Sequence, residues 1–135
     1  MHYPVVIHKD PDSDYGVTVP DVLGCFSAGE TIEEALVYVC EAIECHIEGL
    51  LISEEEIPLP TSIENHLKNP DYSDGLWAIV DIDLTKLSGD VRRINVTMPE
   101  RILNKLDRYV MARGATRSGI LAAAALDYMV THPTS

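Results

Sequence analysis

The chain has 135 residues, 46% of them apolar, and a formal net charge of −12, a size that allows one ordinary core or a modest core plus an appendage that leans on a partner. No apolar run approaches the roughly 18–20 residues that cross a bilayer, and the N-terminus lacks a basic stretch followed by a hydrophobic one, so a cytoplasmic location without membrane attachment is expected.

Residues 3–9 (YPVVIHK), 15–19 (YGVTV) and 24–28 (GCFSA) read as short strands separated by the turn-forming DPDSD and PDVL. Thr31-Ile-Glu-Glu34 has the form of a capping box and predicts a helix start. Ile32, Leu36, Val39, Ile43, Ile47 and Leu50 follow at spacings of three and four as one apolar stripe, with Glu33, Glu41, Glu44 and Glu48 marking the wet side. Residues 53–62 form a proline-containing connection, SIENHLKN adds a short helical turn, and residues 76–84 (LWAIVDIDL) read as a buried strand. Strand, strand, strand, helix, strand predicts a small α+β layer, an antiparallel sheet with a helix packed on one face, over residues 1–85.

A linker is expected at 86–91, where the charge changes sign. Residues 1–85 carry two basic side chains against 18 acidic ones, whereas residues 86–135 carry eight basic against four acidic. This pairs an acidic module that repels nucleic acid with a basic one able to approach a phosphate backbone.

Beyond the linker, RRINVTM (92–98) alternates: Ile94, Val96 and Met98 point one way, Arg93, Asn95 and Thr97 the other. Pro99 ends this predicted strand and suits the first turn of a helix striped by Ile102, Leu103, Leu106, Tyr109 and Val110, which Gly114 terminates. Thr116 or Ser118 caps a second, alanine-rich helix through residues 120–130. Residues 92–135 cannot bury enough apolar area alone. Two copies can pair their strands into a ribbon, with Ile94, Val96, Met98, Leu106 and Val110 in the dimer core and Arg93, Asn95 and Thr97 displayed twice over. Such a ribbon fits the DNA major groove, where arginine grips guanine and asparagine pairs with adenine. A helix-turn-helix fits less well, because the middle of residues 120–130 offers alanines where base-reading side chains are needed.

The order strand, proline, helix, glycine turn, Thr/Ser-capped helix resembles the ribbon-helix-helix (Arc/MetJ-like) family over residues 92–130. The resemblance implies that Arg93, Asn95 and Thr97 read operator bases and that backbone amides near Thr116, Arg117 and Ser118 hold a phosphate, a role suited to a helix N-terminus. Residues 3 to about 60 resemble the N-terminal domain of HicB-type antitoxins through Pro20, Asp21, Gly24, Cys25, Phe26, Gly29, Thr31, Glu33, Glu34 and Ala35. Val22-Leu23 departs from the family, which often has a proline before the glycine that is Gly24 here. That resemblance implies a partial RNase H-like fold, capture of a HicA-like ribonuclease toxin and repression of the shared operon, with no cofactor and no enzymatic activity. Charge and expected exposure nominate Asp12, Asp14, Glu33 and Glu34 as toxin-facing. A homodimer is expected through the ribbon-helix-helix, with pairing into tetramers through the first domain left open.

A small-ligand-sensing repressor and a metal-dependent nuclease are the alternatives; the second would need clustered carboxylates, for which Asp81, Asp83, Glu33 and Glu34 are the available groups. DPDSDYG has Tyr15 where a calcium-binding EF-hand loop needs glycine. Cys25, Cys40 and Cys45 form no CxxC pair and read as reduced, partly buried thiols. The five histidines are scattered, without zinc or triad spacing.

Overall fold

A tight hairpin begins the chain: β1 (His2–Lys9) turns through the DPDSD loop into β2 (Tyr15–Thr18), and β3 (Phe26–Gly29) follows. In this computed structural model, which describes residues 1–84 and 91–134, the chain divides into two compact units, Met1–Asp83 and Leu84–Thr134. Each is described by itself.

The first unit is a four-stranded antiparallel sheet in the order β3-β2-β1-β4, with β4 at Leu76–Asp81. β1 lies at its centre, pairing Val6–Lys9 with β2 and His2–Ile7 with β4. Pro4, which can donate no ladder hydrogen bond, sits in the part of β1 that β2 does not reach, where the loss is tolerated. The third strand begins later than expected. Gly24 has a left-handed φ of 78° and belongs to the turn, so pairing starts at Phe26 and runs to Gly29. The fourth ends at Asp81 instead of continuing to residue 84.

Helix α1 (Ile32–Ile52) follows β3 after two residues. Thr31 caps it, its hydroxyl accepting from the Glu34 amide at 3.1 Å, so the threonine half of the predicted capping box forms. The helix packs on the sheet face that carries Ser27, Val17 and Ile7, which share a face by register. Ala35, Val39, Ile43 and Ile47 are buried beneath it, whereas Ile32, Leu36 and Leu50 are half-buried. Val39, Ile43 and Ile47 of the expected stripe are thus its buried centre, and the small Ala35 joins them at the N-terminal end, where Ile32 and Leu36 were expected. The reason is closeness: a Cβ placed on Gly29 would stand 2.5 Å from the Ala35 nitrogen, and the Ser27 hydroxyl donates to the Ala35 carbonyl at 2.9 Å.

On the opposite sheet face, residues 63–75, which include two 3₁₀ turns, Ile63–Asn65 and Pro70–Tyr72, cover Val6 and Trp77, while Ile79 of β4 is left 61% exposed. Trp77 stacks on His66 with centroids 6.0 Å apart and meets Tyr72 edge-on at 5.8 Å. Tyr3, fully buried, donates its hydroxyl to the Pro58 carbonyl at 2.7 Å. Burial, aided by the negative charge of Asp21, pushes the Tyr3 phenol up to about 12.

In the second unit α2 (Glu100–Arg113) starts directly after Pro99, and Gly114 ends it with φ 63°. Thr116 caps α3 (Arg117–Thr131), its hydroxyl accepting from the Gly119 amide at 3.0 Å. Residues 91–99 hold no strand or helix among the described residues, in contrast to the strand expected at 92–98. A β-ladder needs a neighbour, and one protomer supplies none here. Apart from Val91, the expected linker lies outside the described residues.

Two outcomes test this packing. Gly29→Ala forces the α1 N-terminus off β3 and should destabilise the first unit by about 1–3 kcal/mol, read as a lowered denaturation midpoint. Because the folded-state pKa of Tyr3 is raised, its contribution is complete below the unfolded value near 10.0 and is lost as pH rises towards about 12. Denaturation between pH 9 and 12 should show that loss in the wild type and not in Tyr3→Phe, which starts about 1 kcal/mol less stable for want of the bond to Pro58.

Candidate functional sites

The strand register gathers acidic groups at one end of the first unit. Lys9 pairs with Tyr15 and Tyr15 with Gly29, so the β1–β2 loop and the α1 N-terminus stand at the same end of the sheet. That end carries Asp12 and Asp14 in the loop and Glu33 and Glu34 in the first helical turn. Asp12, Asp14 and Glu33 are exposed; Glu34 is only half-buried, with its amide in the Thr31 cap. The four residues nominated from sequence thus share an end of the fold, although Glu33 and Glu34 ride on the helix that covers one face.

Asp81 is at the other end, opposite His2 in the register and 3.4 Å from the N-terminal amine. The carboxylates considered for a nuclease are therefore separated by the length of the sheet. Among the described residues no group of three or more His, Cys, Asp or Glu is placed to hold a metal ion.

A polar knot that sequence reasoning did not find lies beside the buried turn after β2. The Thr61 amide and hydroxyl donate to the Asp21 carboxylate at 2.9 and 2.7 Å, and His66 Nε2 lies 3.1 Å from Asp21 and 2.9 Å from the Thr61 hydroxyl. With the threonine proton committed to Asp21, Nε2–H is the donor in both histidine contacts. The Asp21 side chain is 7% exposed, so this charge is held by hydrogen bonds inside the fold. Asp21 stood out as part of a sequence thread, and His66 as one of five scattered histidines; their 45-residue separation hid the pairing. The knot fixes residues 58–66 against the sheet.

The thiols differ from the uniform, partly buried set expected: Cys25 is buried, Cys40 intermediate and Cys45 exposed. Burial pushes Cys25 and Cys40 up, which keeps both protonated at neutral pH.

In the second unit, Arg93, Asn95 and Thr97 are exposed on the segment before α2. Of the residues nominated for the dimer core, Ile94 and Val96 are 76% and 61% exposed, and Met98, Leu106 and Val110 are half-buried. None is buried within a single protomer. Arg117 grips Asp107 with two bonds of 2.6 and 2.8 Å, fastening the start of α3 to α2. The hydrogen bond from Arg117 holds the Asp107 carboxyl below the usual carboxylate range. The Arg117 side chain is thus committed, while the amides of Arg117 and Ser118 stand in the open first turn, where a helix leaves its donors unpaired.

No helix among the described residues is long and apolar enough to cross a membrane. The family model for the HicB-like antitoxin of bacterial toxin–antitoxin systems matches residues 3–125. An uncharacterized 14.9 kDa protein of the rep-hol intergenic region of Haemophilus phage HP1 is 46% identical over 110 residues, 82% of each chain. The crystal structure of the Burkholderia pseudomallei antitoxin HicB is similar with a TM-score of 0.82 and 43% identity, over 96% of this chain and 98% of that one. A chain of the HicA3 and HicB3 toxin–antitoxin complex is similar with a TM-score of 0.54 and 30% identity, over 62% of this chain and 99% of its own length. An α+β chain with a four-stranded antiparallel sheet and three α-helices among its described residues, matched along most of its length, this protein belongs to the HicB antitoxin family of toxin–antitoxin systems.

Proposed function

We propose that the chain neutralises a HicA-like mRNA-cleaving toxin through its first unit, a partial RNase H-like layer, and represses its own operon through a ribbon-helix-helix built from the second units of two copies. The observation that carries the second half is the missing core of residues 91–134. Among the described residues of that unit outside Leu84, only Val130 is buried, and α2 has no buried residue. Ile94, Val96, Ile102 and Met111 are left exposed. Burying a side chain of this size contributes about 1.5–3 kcal/mol, so a second copy that covers them supplies the stability a lone helix pair lacks.

Pairing residues 92–98 with the same residues of a second copy gives the segment the ladder partner it lacks and turns Arg93, Asn95 and Thr97 to the outer ribbon face. That face offers a guanidinium, a carboxamide and a hydroxyl per strand, groups suited to base edges in the major groove. The amides of Arg117 and Ser118, with the Thr116 cap, then serve a phosphate. Asp107 retains the Arg117 side chain for positioning α3.

Capture of a toxin by the first unit is supported by family membership, by the similarity to a chain from a toxin–antitoxin complex, and by charge. An excess of acidic over basic side chains in residues 1–85 draws a basic RNA-binding partner and repels RNA.

Mobility-shift titration against the upstream operator tests DNA binding: Arg93→Ala and Asn95→Ala should each weaken it by about 1–3 kcal/mol per lost base contact, and wild-type affinity in both would remove the base-reading assignment. Sedimentation of the full chain should show a dimer or a larger even-numbered species; a stable single protomer would exclude the ribbon. For the first unit, a HicA-like toxin, expected as a small basic protein encoded beside this chain, should form a complex at low salt that weakens as salt is raised, and no complex would refute toxin capture.

A further inference from the structure

The sheet of the first unit has two faces, and only part of the second is covered. The register puts Phe26, Thr18, Val6 and Trp77 in one row across that face, and Ala28, Gly16 and His8 in the next. Residues 63–75 close over the Val6–Trp77 part of the β1–β4 half, where His66 stacks on Trp77 and a Cβ on Gly75 would collide with the Val6 and His8 side chains, while Ile79 farther along β4 is 61% exposed. Over β2 and β3 the covering stops. Phe26 is 71% exposed, Ala28 is exposed, and Thr18 and Gly16 are half-exposed. A large aromatic beside three small residues makes a shallow shelf with one projecting anchor, and aromatic anchors of this kind dominate binding energy at protein interfaces.

The anchor is held rigidly. The turn before it is closed by Val19 and Cys25, whose amide and carbonyl bond at 3.1 Å, with Val22 fully buried under it and Asp21 tied to Thr61 and His66. A side chain presented from fixed backbone loses less freedom on binding than one on a mobile loop. At the end of the shelf, the β1–β2 loop leads straight into Gly16, so Asp12 and Asp14 form an acidic rim to an apolar centre.

We propose that this shelf is the docking face for the toxin, with Phe26 as the apolar anchor and Asp12 and Asp14 as the rim that meets its basic surface. The assignment rests on the toxin-capture reading above and names the surface that performs it. Charge selects the occupant. A second copy would bring a second strongly acidic unit against this rim and be repelled, whereas a basic RNA-binding protein is attracted. Glu33 and Glu34, carried by the helix on the other face, fall outside the shelf.

The test titrates the full-length chain against the neighbouring small basic protein, made inactive by substitution, at low salt. Phe26→Ser and Ala28→Arg should each weaken binding at least about tenfold, equivalent to about 1.4 kcal/mol, while Val37→Ser, at an exposed apolar position of α1, should leave it unchanged. Circular dichroism and Trp77 fluorescence establish that the variants are folded. Wild-type affinity in both folded shelf variants would overturn the docking face and leave toxin capture standing. Failure of the wild type to bind would instead remove the capture reading, and the face with it. A change in the sedimentation mass of the toxin-free chain on Phe26→Ser would assign the shelf to a second copy and overturn the proposal.

Discussion

The first unit depends on burying β1 from both sides. Five consecutive residues, Tyr3 to Ile7, are shielded from water, and in a strand consecutive side chains point to opposite faces. One layer cannot cover them. Helix α1 takes the face of Tyr3, Val5 and Ile7, where Tyr3 also reaches the Pro58 carbonyl, and the segment that follows, through Gly75, takes the face of Pro4 and Val6. That segment has little regular structure of its own, so side-chain bonds hold it: Asp21 to Thr61 and His66, Tyr3 to Pro58, and the aromatic group of His66, Tyr72 and Trp77. Because the apolar interior is sealed in this way, the acidic side chains collect on loops and on the outer surface of α1. The charge of the unit becomes a property of its surface, available to a partner.

The second unit follows the opposite logic. Its helices are well specified locally, by Pro99 and Gly114 around α2 and by the Thr116 cap on α3, and the Asp107–Arg117 pair fixes the turn between them. They enclose almost nothing. An element whose caps and turns are satisfied but whose apolar face is bare is shaped for association, since local bonds set its form and only a neighbour can remove its hydrophobic surface from water. The two halves thus differ by the same physical criterion: one completes its core within the chain, and the other leaves its apolar face bare, the face that the proposed second copy would cover.

This difference also explains what was legible in the amino-acid order. Signals spanning a few residues were readable and correct: the Thr31 and Thr116 caps, the stop at Gly114, the hairpin over DPDSD, the sense of α1 and both C-terminal helices. Signals that depend on distant partners were displaced or invisible. The N-terminal end of the α1 stripe falls on Ala35 because Gly29 lets the backbones approach, the third strand began at Phe26 because Gly24 is left-handed, and the 92–98 segment has no ladder within one protomer.

By itself, then, the sequence determined the kinds and order of the strands and helix of the first unit and of the two C-terminal helices, the change of charge sign between the halves, and the family thread of Pro20 to Ala35, because each is written in local chemistry or in composition. Only the tertiary structure decided that Asp21 closes on His66, that Asp12 and Asp14 share an end of the sheet with Glu33 and Glu34 while lying by a different face, and that Phe26 stands uncovered. Those facts are set by strand register and by which face each layer covers, and residues tens of positions apart carry no mark of them until the chain has folded.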